Sequence, residues 1–126
     1  MGTRCLTIVE DEDGKELVTL YRQFDGYPEG HGAELKSFLK GFKIVNGIGA
    51  RNAPKTANGA GCFAAQLVAH FKRKSRLGGF YLYPAGTRDV GEEYTYRVRV
   101  YSPSVIPLGQ PQIVLTVMAD GVESSI

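Results

Sequence analysis

Residues 22–35 read Arg22-Gln23-Phe24-Asp25-Gly26-Tyr27-Pro28-Glu29-Gly30-His31-Gly32-Ala33-Glu34-Leu35. Across this stretch the apolar spacing changes from that of a strand to that of a helix. Glycines 26, 30 and 32 permit left-handed backbone, and Pro28 drives Tyr27 towards an extended conformation. The segment therefore predicts a strand, a glycine-rich loop and a helix starting at about His31, whose positive dipole end points back into the loop. A cation, a carboxylate, an aromatic ring and an imidazole are gathered there.

The flanking elements follow from the same spacing. Residues 5–10 and 17–22 are rich in β-formers, and Asp13-Gly14 between them signals an antiparallel hairpin with a solvent-facing acidic tip, Glu10 to Asp13. After the loop, Leu35, Phe38, Leu39 and Phe42 fall at helical spacing, with Gly41 as a stop. Residues 43–61 carry Asn46-Gly47-Ile48-Gly49 and Asn58-Gly59-Ala60-Gly61, with an irregular, mobile loop expected at 50–57. A second helix is predicted from Cys62 to Lys74, burying Phe63, Ala64, Leu67, Val68 and Phe71, and Gly78-Gly79 ends it.

Strands are predicted at 80–83, 93–101 and 113–118, with a proline-rich loop at 102–111 and a frayed tail from Ala119 to Ile126. The resulting order is ββααβββ. It describes one α+β domain over 1–126, an antiparallel sheet of about five strands with two helices on one face. A sheet of that kind leaves edge strands, so a homo-oligomer is expected.

Composition limits the function classes. At 126 residues the chain can bury a core without disulfides or a metal, and a net charge of +2 is too small for nucleic-acid binding by bulk electrostatics. No apolar run approaches the roughly 18 residues of a membrane span, and no signal-peptide region opens the chain, so a cytoplasmic protein is expected. Cys5 and Cys62 lack metal or redox spacing and read as reduced, buried apolar residues. His31 and His70 form no HExxH or Cys/His cluster, so neither a metal nor a cofactor is expected.

The candidate site combines two glycine-rich helix starts. At the first, Arg22 can fork onto an anion, Tyr27 can stack on a base, and Gln23, Asp25 and His31 surround them. The alternative is that Arg22 and Asp25 pair to brace the loop while Tyr27 fills the core edge. The second start supplies Asn58, Gly59, Gly61 and Gln66. Cys62, near that helix N-terminus, is a conceivable nucleophile with His31 or His70 as base, which is the cysteine-hydrolase alternative. Arg97, Arg99 and Tyr101 share one strand face and, with Tyr81 or Tyr83 on a neighbouring strand, form a basic-aromatic surface. The run Lys72-Arg73-Lys74-Ser75-Arg76 is a solvated face or a docking surface.

Several blocks resemble a family of small uncharacterised proteins of bacteriophages and bacteria. They are Leu20-Tyr21-Arg22-Gln23-Phe24-Asp25-Gly26-Tyr27-Pro28 with Gly30-His31-Gly32, then Asn58-Gly59-Ala60-Gly61-Cys62-Phe63-Ala64-Ala65-Gln66, and Gly79-Phe80-Tyr81-Leu82-Tyr83-Pro84. The resemblance covers roughly residues 1–100. It implies a phage or bacterial host-cell setting and no mechanism. Together with the loop chemistry it makes a non-enzymatic anti-defence binding protein the expectation, with an anionic nucleotide-like small molecule as ligand. A host defence protein is the alternative partner.

Overall fold

The computed structural model describes residues 2–47 and 53–126. A six-stranded sheet is built from β1 (Cys5–Glu10), β2 (Glu16–Arg22), β5 (Phe80–Tyr83), β6 (Tyr94–Val100), β7 (Ile113–Ala119) and β8 (Val122–Ser125), in the spatial order β5-β2-β1-β6-β7-β8. A separate parallel pair joins β3 (Lys43–Val45) to β4 (Thr56–Asn58). The helices are α1 (Ala33–Leu39) and α2 (Gly59–Lys72). The α+β class and the sheet-dominated core match the expectation from sequence.

β1 organises the sheet. All six of its residues are buried, because helices cover one face and chain covers the other. On the helix side Cys5 and Val9 pack with Leu20, Tyr96, Val98, Leu35, Phe63, Leu67 and Phe71. On the other side Leu6 and Ile8 are fully buried. The β5–β6 connection, residues 84–93, runs over that side, held by Arg88 Nη2 on Glu16 Oε2 at 2.6 Å and by Glu93 N–H on Arg4 O at 2.9 Å. This crossover is required because β6 lies parallel to β1, with Cys5 opposite Tyr94 and Glu10 opposite Arg99.

Several expectations are corrected here. The sheet is mixed rather than antiparallel, and it has six strands. Residues 119–126 are not frayed: the chain turns at Asp120-Gly121, both in positive φ, and returns as β8 along β7. Residues 56–58 are a strand rather than loop, while Ile48-Gly49 and the loop expected at 50–52 lie outside the described residues. α2 starts three residues earlier than predicted and stops at Lys72. The two Asn-Gly turns meet, since Gly47 N–H donates to Asn58 Oδ1 at 3.0 Å.

Gly26, Gly30 and Gly32 do not adopt left-handed backbone; the residue that does is Asp25, at φ 62°. Gly26 is instead a close-approach position. A Cβ there would stand 2.8 Å from both Cys5 Cβ and Thr3 O, so the loop lies directly against the start of β1.

Candidate functional site

Arg22 ends β2 with its side chain on the helix side of the sheet, and the loop behind it folds as one wide turn rather than as the first turn of α1. Gly32 N–H reaches back five residues to Tyr27 O at 3.4 Å, a π-type spacing over Pro28–Gly32 that carries His31 inward. The imidazole is fully buried between the rings of Phe71 and Tyr96, at centroid separations of 4.8 and 5.0 Å. Arg22 Nη1 donates to His31 Nδ1 at 3.1 Å. A guanidinium only donates, so Nδ1 is bare and the proton sits on Nε2, which donates to Thr7 Oγ1 at 2.6 Å.

Burial first, and the Arg22 charge second, lower the His31 pKa to about 3. His31 is therefore neutral at physiological pH and acts as a spacer that aims Arg22. The polar chain continues outward: Arg22 Nη2 donates to Glu34 Oε2 at 3.2 Å, and Lys74 Nζ to Glu34 Oε1 at 2.5 Å. Burial pushes the Glu34 pKa up, but hydrogen bonds from Lys74 and Arg22 outweigh it and the net shift is downward. Arg22 also lies over the Phe80 ring, 4.9 Å from its centroid.

Beside this chain is a cleft of about 210 Å³ lined by Arg22, Phe24, Lys74, Ser75, Gly79 and Phe80. Lys72 is not among the lining residues; its Nζ donates to Gly78 O at 3.1 Å and Phe80 O at 2.9 Å. Two cations, Arg22 and Lys74, thus meet on one carboxylate, Glu34. Phe24, 51% exposed, lines the rim.

The sequence-predicted residues divide between separate places. Gln23 is next to the cleft, its N–H donating to Gly79 O at 2.9 Å. Asp25 and Tyr27 are exposed and bond each other, Tyr27 OH to Asp25 Oδ1 at 3.4 Å, so Arg22 pairs with Glu34 and not with Asp25. The backbone N–H groups expected to point at a ligand are spent within the loop: Gly26 N–H on Thr3 O, Gly30 N–H on Tyr27 O and His31 N–H on Asp25 O. α1, with only seven residues, adds little dipole.

Asn58, Gly59 and Gly61 belong to the opposite end of α2 from Lys72, and Gln66, at mid-helix, points its side chain back to Thr56. Fourteen residues at about 1.5 Å each put roughly 20 Å between those ends. The two glycine-rich starts do not converge. Asn58 and Gln66 are engaged locally, Gln66 Nε2 donating to Thr56 O at 3.0 Å and to Cys62 Sγ at 3.5 Å.

Cys62 is exposed, against the expectation of burial, and lies two helical turns from His70. His31 has both ring nitrogens occupied, so neither histidine is placed to activate Cys62. Cys5 is buried, and desolvation raises its thiol pKa to about 12.

The cleft residues that sequence reasoning passed over are Phe24, Glu34 and Phe80, together with Lys74 as a partner of Arg22. The run from Lys72 to Arg76 followed by Gly78-Gly79 was the available signal. It marks a helix end that turns straight back into a strand beside β2. Tyr81 and Tyr83 share a sheet face with Arg97 and Arg99, but β2 and β1 intervene, about 14 Å at the usual strand spacing, so the predicted basic-aromatic patch is not continuous.

Comparison with protein-family models, with curated proteins and with solved structures finds no match. No helix among the described residues is long and apolar enough to cross a membrane.

Proposed function

We propose that this chain is a small binding protein that holds an anionic, ring-bearing small molecule of nucleotide type in the cleft between Arg22 and Lys74, without transforming it. The observation that carries the reading is that Arg22 and Lys74 both line the cleft and share a single carboxylate, Glu34, between them. Arg22 is preorganised by His31 and by its seat over Phe80, so ordering it on a ligand costs little. The Lys74–Glu34 pair is exposed on the lysine side and worth at most about 1 kcal/mol, so Lys74 can exchange Glu34 for a ligand phosphate. Stacking on Phe24 would contribute about 1–3 kcal/mol for a base. A volume of about 210 Å³ admits a phosphate or a single ring, with the remainder of a mononucleotide lying outside.

The resemblance to phage and bacterial proteins supports a finer version, in which the ligand is a host defence signal sequestered in the cytoplasm. A docking protein is the second reading, favoured by Leu77, which is 95% exposed directly after the basic run.

Calorimetry with mono- and cyclic nucleotides, inorganic phosphate and pyrophosphate tests the proposal. Salt-sensitive nucleotide binding that falls at least tenfold in Lys74→Glu and several-fold in Phe24→Ala is the expected result. Flat titrations across the panel, or variants that bind like the native protein, would overturn it and leave the protein-docking reading.

A further inference from the structure

A second cleft lies on the sheet face opposite the helices, and its chemistry differs from that of the Arg22 cleft. Alternation along β6 sends Arg97, Arg99 and Tyr101 to this face. At its base is Glu10, 3% exposed, with Arg99 Nε donating to Oε1 at 2.8 Å. Arg97 Nε lies 3.5 Å from Glu10 Oε2. That is close enough for attraction, yet Arg97 Nε is buried with no hydrogen-bond partner among the described residues. Two guanidiniums sharing one buried carboxylate leave the inner part of the cleft one positive charge in excess.

That excess is met from outside by Glu123 of β8. One of its carboxylate oxygens, Oε2, accepts from Arg97 Nη1 at 3.2 Å and from Thr116 Oγ1 at 3.1 Å. Glu123 is 42% exposed, and the four residues of β8 are all exposed on an edge strand that, among the described residues, pairs only with β7. Next to it is open space of about 290 Å³, where Tyr101 and Gln110 supply further polar groups.

We propose that this cleft is a binding site for a small carboxylic acid carrying a second acidic or hydroxyl group, and that Glu123 occupies the carboxylate position when no ligand is bound. The contacts of Glu123 identify the group the site accepts: a carboxylate with one oxygen shared between a guanidinium and a hydroxyl. Tyr101 and Gln110 face the space that the rest of such a ligand would fill. The volume, just under the usual range of ligand pockets, has room for a small acid. A solvent-exposed ion pair contributes little, so β8 can give up the position to a competitor at modest cost. An internal occupant lowers apparent affinity by the fraction of time the position is free.

The test is calorimetric titration of the full chain with succinate and citrate, with acetate and inorganic phosphate as comparators. Glu123→Ala should bind the dicarboxylate or tricarboxylate about tenfold more tightly than the native protein. Adding Arg97→Gln to that variant should abolish the binding. Thr116→Val in the Glu123→Ala background, which leaves every charge of the inner cluster in place, should weaken it several-fold. In the native protein, a ¹⁵N spectrum of the arginine side chains should show the Arg97 Nε–H resonance moving as succinate is added. An affinity that does not rise in Glu123→Ala, binding that survives both Arg97→Gln and Thr116→Val, or phosphate binding as tightly as succinate would each overturn the proposal.

Discussion

His31 is an imidazole removed from acid–base chemistry by its surroundings. An unfolded chain protonates it near its ordinary value of 6.5, whereas the folded chain resists until about pH 3. Unfolding therefore takes up a proton throughout that window. The stability contributed by keeping His31 neutral is complete above about pH 6.5 and is lost on acidification, at about 1.4 kcal/mol per pH unit. Glu34 acts in the same direction, because its lowered pKa stabilises the fold above its ordinary range and that contribution disappears in acid. Urea unfolding at pH 6.5 and pH 5 should show the native protein losing about 2 kcal/mol more than a His31→Gln variant. Equal losses would mean that His31 protonates as readily in the fold as in the unfolded chain. The histidine and the arginine were both legible as notable residues. Their bond was not, because it depends on the wide turn at Pro28–Gly32, which no spacing rule announces.

At the scale of elements, close packing decides what the glycines do. Gly26 is needed for the approach of the loop to Thr3 and Cys5 rather than for its dihedral angles. Gly26→Ala should therefore destabilise by about 1–3 kcal/mol, the usual cost of forcing a methyl group into a filled space, measured as a lower urea midpoint with an unchanged slope. Local signals placed most elements correctly: Asp13-Gly14 gave the first hairpin, and the spacing of Phe63, Leu67 and Phe71 gave α2. Asp120-Gly121 carries the same turn chemistry as Asp13-Gly14 and marks the β7–β8 hairpin, so that strand, in place of the expected frayed tail, was readable from its turn. β3 and β4 were harder to find, since three-residue strands have too few positions to show a period.

At the scale of the whole molecule, stability is concentrated in β1, which is buried on both faces and bonded on both sides to β2 and β6. Native-state hydrogen exchange should find the amides of Leu6 to Val9 opening only with global unfolding, while those of β8 exchange through local opening. Comparable protection in the two strands would contradict this hierarchy. The outer edges of the sheet differ too, because Lys72 caps the Phe80 carbonyl beside β5 and β8 has no such cover among the described residues. By itself the sequence determined the α+β class, the first hairpin and the two helices, because each rests on contacts within a few residues. Only the tertiary structure decided that β6 lies parallel to β1, that Lys74 and Phe80 join Arg22, that the two glycine-rich helix starts stay apart, and that Glu10 and Glu123 meet Arg97. Those pairings join residues far apart in the chain. They are selected by which faces must be buried together, a condition that local periodicity does not encode.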